Sequence, residues 1–242
     1  MGLSLADIDK VSAVTFDFGG TLARYGREAI LKRLLEEQGF SPSTEAISEA
    51  YEVVDLWWDE NYAGRVPEER WNQRVIHELD LVLLTELGIR ERAEGLARWI
   101  SNKWSEAEPD QPFEVFPDTL PALSFLKSRG YSMAVISNTP SLERLKRVVD
   151  GLSVSQFFRS LIASGTVGFS KPDERIFRLA ADALAKPPRE ILHIGDSYEG
   201  DVLGATRAGF KAILLDRANK SRKVNVQFPV IDSLAKLEEM LR

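Results

Sequence analysis

Five short apolar runs, tied together by helical patterns, restrict this chain more than any other feature. The runs are Val14–Phe16, Ser132–Ile136, Leu161–Ala163, Ile191–Ile194 and Ala212–Leu215. Amphipathic patterns at Thr119–Ser128, Leu142–Val149, Glu174–Ala185 and Tyr198–Ala208 separate the later ones. Strands rich in Val, Ile and Leu are those buried on both faces, and joining them through helices demands right-handed crossovers. The expected class is therefore α/β, with a doubly wound, Rossmann-like parallel sheet. The segment Asp232–Leu241 reads as a closing helix.

Residues 23–112 interrupt this alternation. They show no clear strand and read as helices at about Glu28–Glu37, Thr44–Asp59, Glu68–Leu87 and Glu91–Trp104. All five tryptophans, Trp57, Trp58, Trp71, Trp99 and Trp104, fall here. They fill a small core of the insert, or one or two of them face a substrate from a lid. Pro109, Pro112 and Pro117 punctuate the return to the sheet. The expected organisation is an α/β core from 1–22 and 113–242 with an all-helical domain at 23–112.

Composition narrows the function classes. The 242 residues, 44% of them hydrophobic, suffice for one large domain or one domain with an insert. A net charge of -6 is poorly suited to non-specific nucleic-acid binding. With no cysteine there is no disulfide, thiolate metal site or cysteine nucleophile, which suits a reducing cytoplasm. No run approaches the roughly 18 apolar residues of a membrane span. The N-terminus lacks the basic-then-apolar pattern of a secretory signal. The expectation is a cytoplasmic protein with neither nucleic acid nor membrane as partner. An aromatic-rich insert is also consistent with a homodimer contact.

Four stretches carry chemistry. In "VTFDFGGTL", Asp17 ends the first strand and Gly19, Gly20 and Thr21 follow; the turn is either a ligand loop or a capped structural turn. In "VISNT", Ser137 and Asn138 end another strand, as an anion site or a helix cap. In "FSKPDERIF", Pro172 biases Lys171 towards an extended backbone, and Pro172 and Asp173 start a helix. Lys171 there is a fixed charge in the crevice or a solvated surface lysine. In "ILHIGDSYEGDVLG", Asp196 and Asp201 share a strand-to-helix loop and suit a hard cation such as Mg²⁺. His193, inside the strand, reads as core, and His77 as filler or a lid contact. All four stretches fall at the C-terminal ends of expected parallel strands, so they converge on one crevice. Together they equip phosphoryl transfer through an aspartyl intermediate.

In these motifs and in the placement of the helical insert, the chain resembles the haloacid dehalogenase superfamily, most of whose members are phosphatases. The resemblance implies that the insert is a cap domain. It implies that Asp17 is the nucleophile, that Ser137, Asn138 and Thr21 bind phosphate, and that Lys171 neutralises charge. It also implies Mg²⁺ held by Asp17, Asp196 and the carbonyl of Gly19, supported by Asp201, and a small phosphorylated substrate.

Residue 19 departs from that pattern. The family's phosphatases place there a second aspartate, which protonates the leaving oxygen and then activates water. Such positioned acid–base catalysis is typically worth about 10²–10⁴-fold. Three readings follow: a slow phosphatase working on a good leaving group, a 2-haloacid dehalogenase-type enzyme, or a binding member with little catalysis. The dehalogenases lack the second aspartate but work without metal and carry tyrosine there, so Asp196 weighs against them. Arg24 or Arg27 could serve a substrate carboxylate, and the pattern leaves open which of Trp57, Trp58, Arg65, Trp71, Arg74 and His77 faces the crevice.

Overall fold

Among the described residues, eight strands frame the fold. They are β1 (Ala13–Phe16), β2 (Ala23–Tyr25), β3 (Phe113–Val115), β4 (Ser132–Ser137), β5 (Ser160–Ala163), β6 (Ile191–Gly195), β7 (Lys211–Leu215) and β8 (Val230–Ile231). The structure, a computed structural model, describes residues 10–62, 73–107, 113–217 and 228–241. Six strands form a parallel sheet in the order β5-β4-β1-β6-β7-β8, and β2 pairs with β3 in a separate two-stranded ribbon. The α/β, Rossmann-like class expected from the sequence is therefore the observed one.

The pleat explains why the sheet is covered on both faces. Side chains alternate across a strand. Along β1, Val14 and Phe16 enter one apolar cluster, with Leu123, Leu126 and the C-terminal Leu234 and Leu237. Ala13 enters the opposite cluster, with Ile176, Phe177 and Ala180 of the helix Glu174–Leu184. β4 divides the same way, Met133 and Val135 against Ala134 and Ile136.

Strand order then fixes the place for a ligand. The chain runs outward from β1 through β4 to β5, then returns to the other side of β1 at β6. In such a sheet the crevice opens beyond the carboxyl ends of the strands where the order reverses. Phe16 pairs with Val135 on one side and Ile194 on the other, so Asp17, Ser137 and Asp196 all emerge at that end.

The chain divides into two compact units, one of Met1–Arg24 and Phe113–Arg242, the other of Tyr25–Pro112. The second unit is built of helices Arg27–Glu37, Thr44–Tyr62, Gln73–Glu86 and Ala93–Ala107. Its core holds Leu31, Leu35, Ile47, Leu83, Leu84 and Ile100, with Trp99 and Trp104 packed against it. Trp57 and Trp58 meet the Tyr62 ring in tilted contacts, 5.6 and 5.3 Å between ring centres. His77 pairs with Glu94 at 3.0 Å. Arg65, Trp71, Pro109, Pro112 and the start of the expected helix from Glu68 lie outside the described residues. No described helix is long and apolar enough to cross a membrane.

Local departures from the expected elements have local causes. The expectation of no strand between 23 and 112 fails at β2, a three-residue strand whose partner lies about ninety residues onward. Three residues are too few for period-2 alternation to register. The expected helix Tyr198–Ala208 is a π-helical turn, Tyr198–Leu203, running into Gly204–Arg207. Pro172 stays outside the next helix, which starts at Glu174 with Asp173 accepting a bond from the Arg175 amide.

A polar knot holds the C-terminal segment and the β1 loop together. Asp118 receives both terminal nitrogens of Arg217 at 2.9 and 3.0 Å, the Ser233 hydroxyl at 2.6 Å and the Leu234 amide at 2.8 Å. Arg217 also donates to the Thr21 carbonyl at 2.8 Å and lies 3.9 Å from the centre of the Phe116 ring. Partial burial pushes the Asp118 carboxyl up, but the bonds from Arg217 and Ser233 outweigh it and hold it below the usual carboxylate range. A depressed acid stabilises the fold fully above the unfolded value, about 4, and the contribution is lost as pH falls through the folded one. Asp118→Ala is expected to cost about 2–4 kcal/mol in urea unfolding at neutral pH, the usual loss for a paired, hydrogen-bonded charge. The gap between variant and parent should narrow below about pH 4. An unchanged unfolding midpoint would remove this knot from the account.

Candidate active site

Asp17 continues the β1 ladder, donating its amide to the Ile194 carbonyl at 2.9 Å. Immediately afterwards the chain turns. The amides of Leu22 and Ala23 donate back to the Phe18 carbonyl at 2.9 and 3.1 Å, and Gly20 donates to Ala23 at 2.9 Å. Gly20 is required here twice over. Its φ is +82°, and a Cβ on it would stand 2.1 Å from an Asp196 carboxylate oxygen. Gly19 is different. It is exposed, lies outside the left-handed region, and a Cβ on it would meet nothing within 4 Å.

Lys171 reaches this loop from the third motif. Only 4% exposed, it donates to Asp17 Oδ1 at 2.5 Å and to Asp201 Oδ1 at 2.6 Å. Its peptide is in the cis form towards Pro172. Asn138 clamps its main chain, accepting from the Lys171 amide at 2.9 Å and donating to the Lys171 carbonyl at 3.1 Å. The surface-lysine alternative is thereby excluded.

The fourth motif supplies two carboxylates in different settings. Asp201 is 1% exposed and held on both oxygens: Oδ1 by Lys171 and His193, Oδ2 by the Ser197 amide at 3.0 Å. Gly195 makes room for it, since a Cβ there would sit 2.1 Å from the Asp201 carboxyl carbon. Asp196 is exposed. Oxygens of Asp17, Asp196 and Asp201 all lie within 4.8 Å of one another.

Charge in this cluster does not balance. With all three carboxylates ionised they face one ammonium, leaving -2. Burial pushes the Asp17 carboxyl up to about 6, against the pull of Lys171 and with the push of Asp201. Crowding by protein, followed by the charges of Asp17 and Asp201, pushes Asp196 well above its ordinary value. Because Asp196 keeps contact with solvent, the like-charge repulsion is the firmer cause. Burial alone would lower Lys171; Asp17 and Asp201 together outweigh it and hold the ammonium above its usual range. Lys171 and His193 hold Asp201 low despite its burial. An all-oxygen donor set with an excess of two negative charges fits a hard divalent cation.

Two expected site residues are placed otherwise. Thr21, named for phosphate, is fully buried, and its hydroxyl has no partner; the turn at Gly20 carries it inward. Asn138, named beside Ser137, has both ends of its amide engaged with Lys171. Ser137, 8% exposed, ends β4 on the crevice side. Arg24 pairs with Glu114 at 2.5 Å, and Arg27 takes Asp55 with two bonds, at 2.8 and 2.6 Å. Sequence reasoning missed Arg217, because nothing in "LLDRANK" signals a partner about a hundred residues away.

A family model for haloacid dehalogenase-like hydrolases matches residues 11–209. This chain belongs to that family. A phosphoserine phosphatase of Thermus thermophilus is 31% identical over 88% of this chain and 84% of its own length. A glyceraldehyde 3-phosphate phosphatase of Methanothermobacter thermautotrophicus is 34% identical, over 52% of this chain and 58% of its own length. Proteins named (S)-2-haloacid dehalogenase match at 25% identity, one of them over 97% of this chain. Among solved structures, the HAD-hydrolase YfnB of Bacillus subtilis superposes with a TM-score of 0.72 over 96% of this chain and 99% of its own, at 18% identity. That last likeness bears on the fold.

The charge excess makes a prediction about stability. A raised acid withdraws stability as pH climbs through its folded value. Asp196→Asn should therefore raise the melting temperature of the protein in chelator at pH 8, by on the order of a few degrees. The gain should shrink towards pH 5, where the cluster takes up protons. A lowered melting temperature at pH 8 would mean that the three carboxylates do not repel one another.

Proposed function

We propose that this chain is a divalent-cation-dependent hydrolase of a small phosphorylated molecule, with Asp17 as the nucleophile. The observation that carries the reading is the charge balance at the strand ends: three carboxylates within 4.8 Å of one another, with a single buried ammonium among them. Asp17, Asp196 and the main-chain carbonyl of Gly19 would hold Mg²⁺, with Asp201 behind them. The ion supplies neutralisation and orientation of phosphoryl oxygens. In this reading the helical unit is the cap that selects the substrate.

The residues then divide the work. Lys171 holds Oδ1 of Asp17, and in this reading Oδ2 attacks phosphorus. As that bond forms, the bond from phosphorus to the leaving oxygen breaks, and its electron pair stays on the oxygen. Ser137 donates to the transferring group, and Lys171 offsets its charge. Water next attacks phosphorus, the bond to Oδ2 breaks, and the Asp17 carboxylate returns. Both the leaving oxygen and the attacking water exchange protons with solvent, because Gly19 offers none. The substrates favoured are those whose leaving group needs little help, aryl or acyl phosphates.

The dehalogenase reading shares Asp17 and Lys171 but has no use for a -2 cluster. A screen of aryl phosphate and 2-haloacid with and without Mg²⁺ separates the two. The expected result is Mg²⁺-dependent release of phosphate alone; halide release in chelator overturns the proposal.

Space at residue 19 makes the missing acid testable. A carboxylate there meets no neighbour at its Cβ and no backbone strain. Gly19→Asp is expected to raise turnover of an alkyl phosphate towards the roughly 10²–10⁴-fold that a positioned acid–base group supplies. Asp17→Asn should abolish turnover in both backgrounds. A folded Gly19→Asp protein with no gain would show that proton transfer is not what limits this site.

A further inference from the structure

His193 is the buried imidazole that the reaction above leaves unused. It sits on β6 opposite Thr15 of β1, in register, and both are fully buried in the middle of the sheet. Two polar side chains there are costly unless each is hydrogen-bonded. They are. Thr15 Oγ1 lies 2.9 Å from His193 Nδ1, and His193 Nε2 lies 3.1 Å from Asp201 Oδ1. That same oxygen accepts from Lys171, whose ammonium also holds Asp17. The Phe177 ring stands edge-on to the imidazole at 5.1 Å and 87°, fixing its plane.

Donor and acceptor counting assigns the protons. Ionised Asp201 can only accept, so Nε2 carries hydrogen. A ring held between a hydroxyl and a carboxylate turns its one donor to the carboxylate and its acceptor to the hydroxyl. Nδ1 is then bare, and the Thr15 hydroxyl is its donor. We propose that His193 is a positioning residue for Lys171: Thr15 donates to its bare Nδ1 and orients the ring, and its Nε2 hydrogen pins Asp201 Oδ1, fixing where the ammonium stands against Asp17. With Ser197 on Oδ2 and His193 on Oδ1, the Asp201 carboxylate is held at both ends. Without His193, Oδ1 keeps only the mobile Lys171 ammonium and Ser197 alone fixes the other end, so the carboxylate gains freedom and Lys171 with it. The kinetic consequence rests on the reading of Asp17 as nucleophile; the proton assignment does not.

The chain has only two histidines, so a long-range ¹H–¹⁵N correlation spectrum resolves both imidazoles, with His77→Gln giving the assignment. His193 is expected to show a protonated Nε2 and a bare Nδ1. A protonated Nδ1 overturns the proposal. Thr15→Val keeps the shape and removes the donor, and should move the Nδ1 resonance as its hydrogen bond is lost while Nε2 stays protonated; an unchanged Nδ1 resonance overturns Thr15's part. With an aryl phosphate and Mg²⁺, His193→Phe should lose about 10–100-fold in kcat with KM nearly unchanged, the usual loss when an orienting partner goes. His193→Gln, which restores a donor towards Asp201, should recover most of it. Full kcat in His193→Phe, or an equal loss in both variants, contradicts positioning. If His193→Phe does not fold, the spectra of parent and Thr15→Val still decide. A parent protein without turnover sinks the proposed function, and the spectra then judge the proton assignment separately.

Discussion

Everything at the strand ends depends on one buried ammonium. Lys171 bridges Asp17 and Asp201 at hydrogen-bond distance with almost no access to water. A lone buried ammonium would be untenable, and so would a lone buried Asp201. Each exists because the other does. The ammonium engages Oδ1 of Asp17. The arrangement also leaves Asp196 in a field of like charge at the solvent edge. The site is thus assembled around an electrostatic imbalance.

That imbalance is held in register by groups without any part in bond making. Asn138 fixes the main chain of Lys171. Gly195 gives Asp201 its space, and the Ser197 amide takes one of its oxygens. Arg217 and Thr119 grip the carbonyls of Thr21 and Leu22 at 2.8 and 2.7 Å, so the turn after Asp17 is tied to distant segments. Preorganised charge costs folding stability, and such ties are where the fold recovers it.

Much of this was legible in the sequence. Buried strands announce themselves by Val, Ile and Leu runs, and parallel topology brings their carboxyl ends together, so Asp17, Ser137, Lys171 and Asp196 converge by rule. Roles were harder than places. Thr21 and Asn138 look like phosphate ligands by residue type, yet the backbone sends one inward and spends the other on Lys171. His193 reads as core from its strand, because a polar pair across a register is invisible until the register is known. Asp118 and Arg217 lie 99 residues apart, and no periodicity joins them. Gly19 was the informative gap in the sequence; the open space around it makes that gap a matter of chemistry, with room for the missing side chain.

The central claim is that Asp17 itself takes up the phosphoryl group. Acid quenching during turnover of an isotopically labelled aryl phosphate, followed by peptide mapping, tests it directly. The account predicts label on the peptide that contains Asp17. Turnover with label on another residue, or with none on the protein at any quench time, would contradict it.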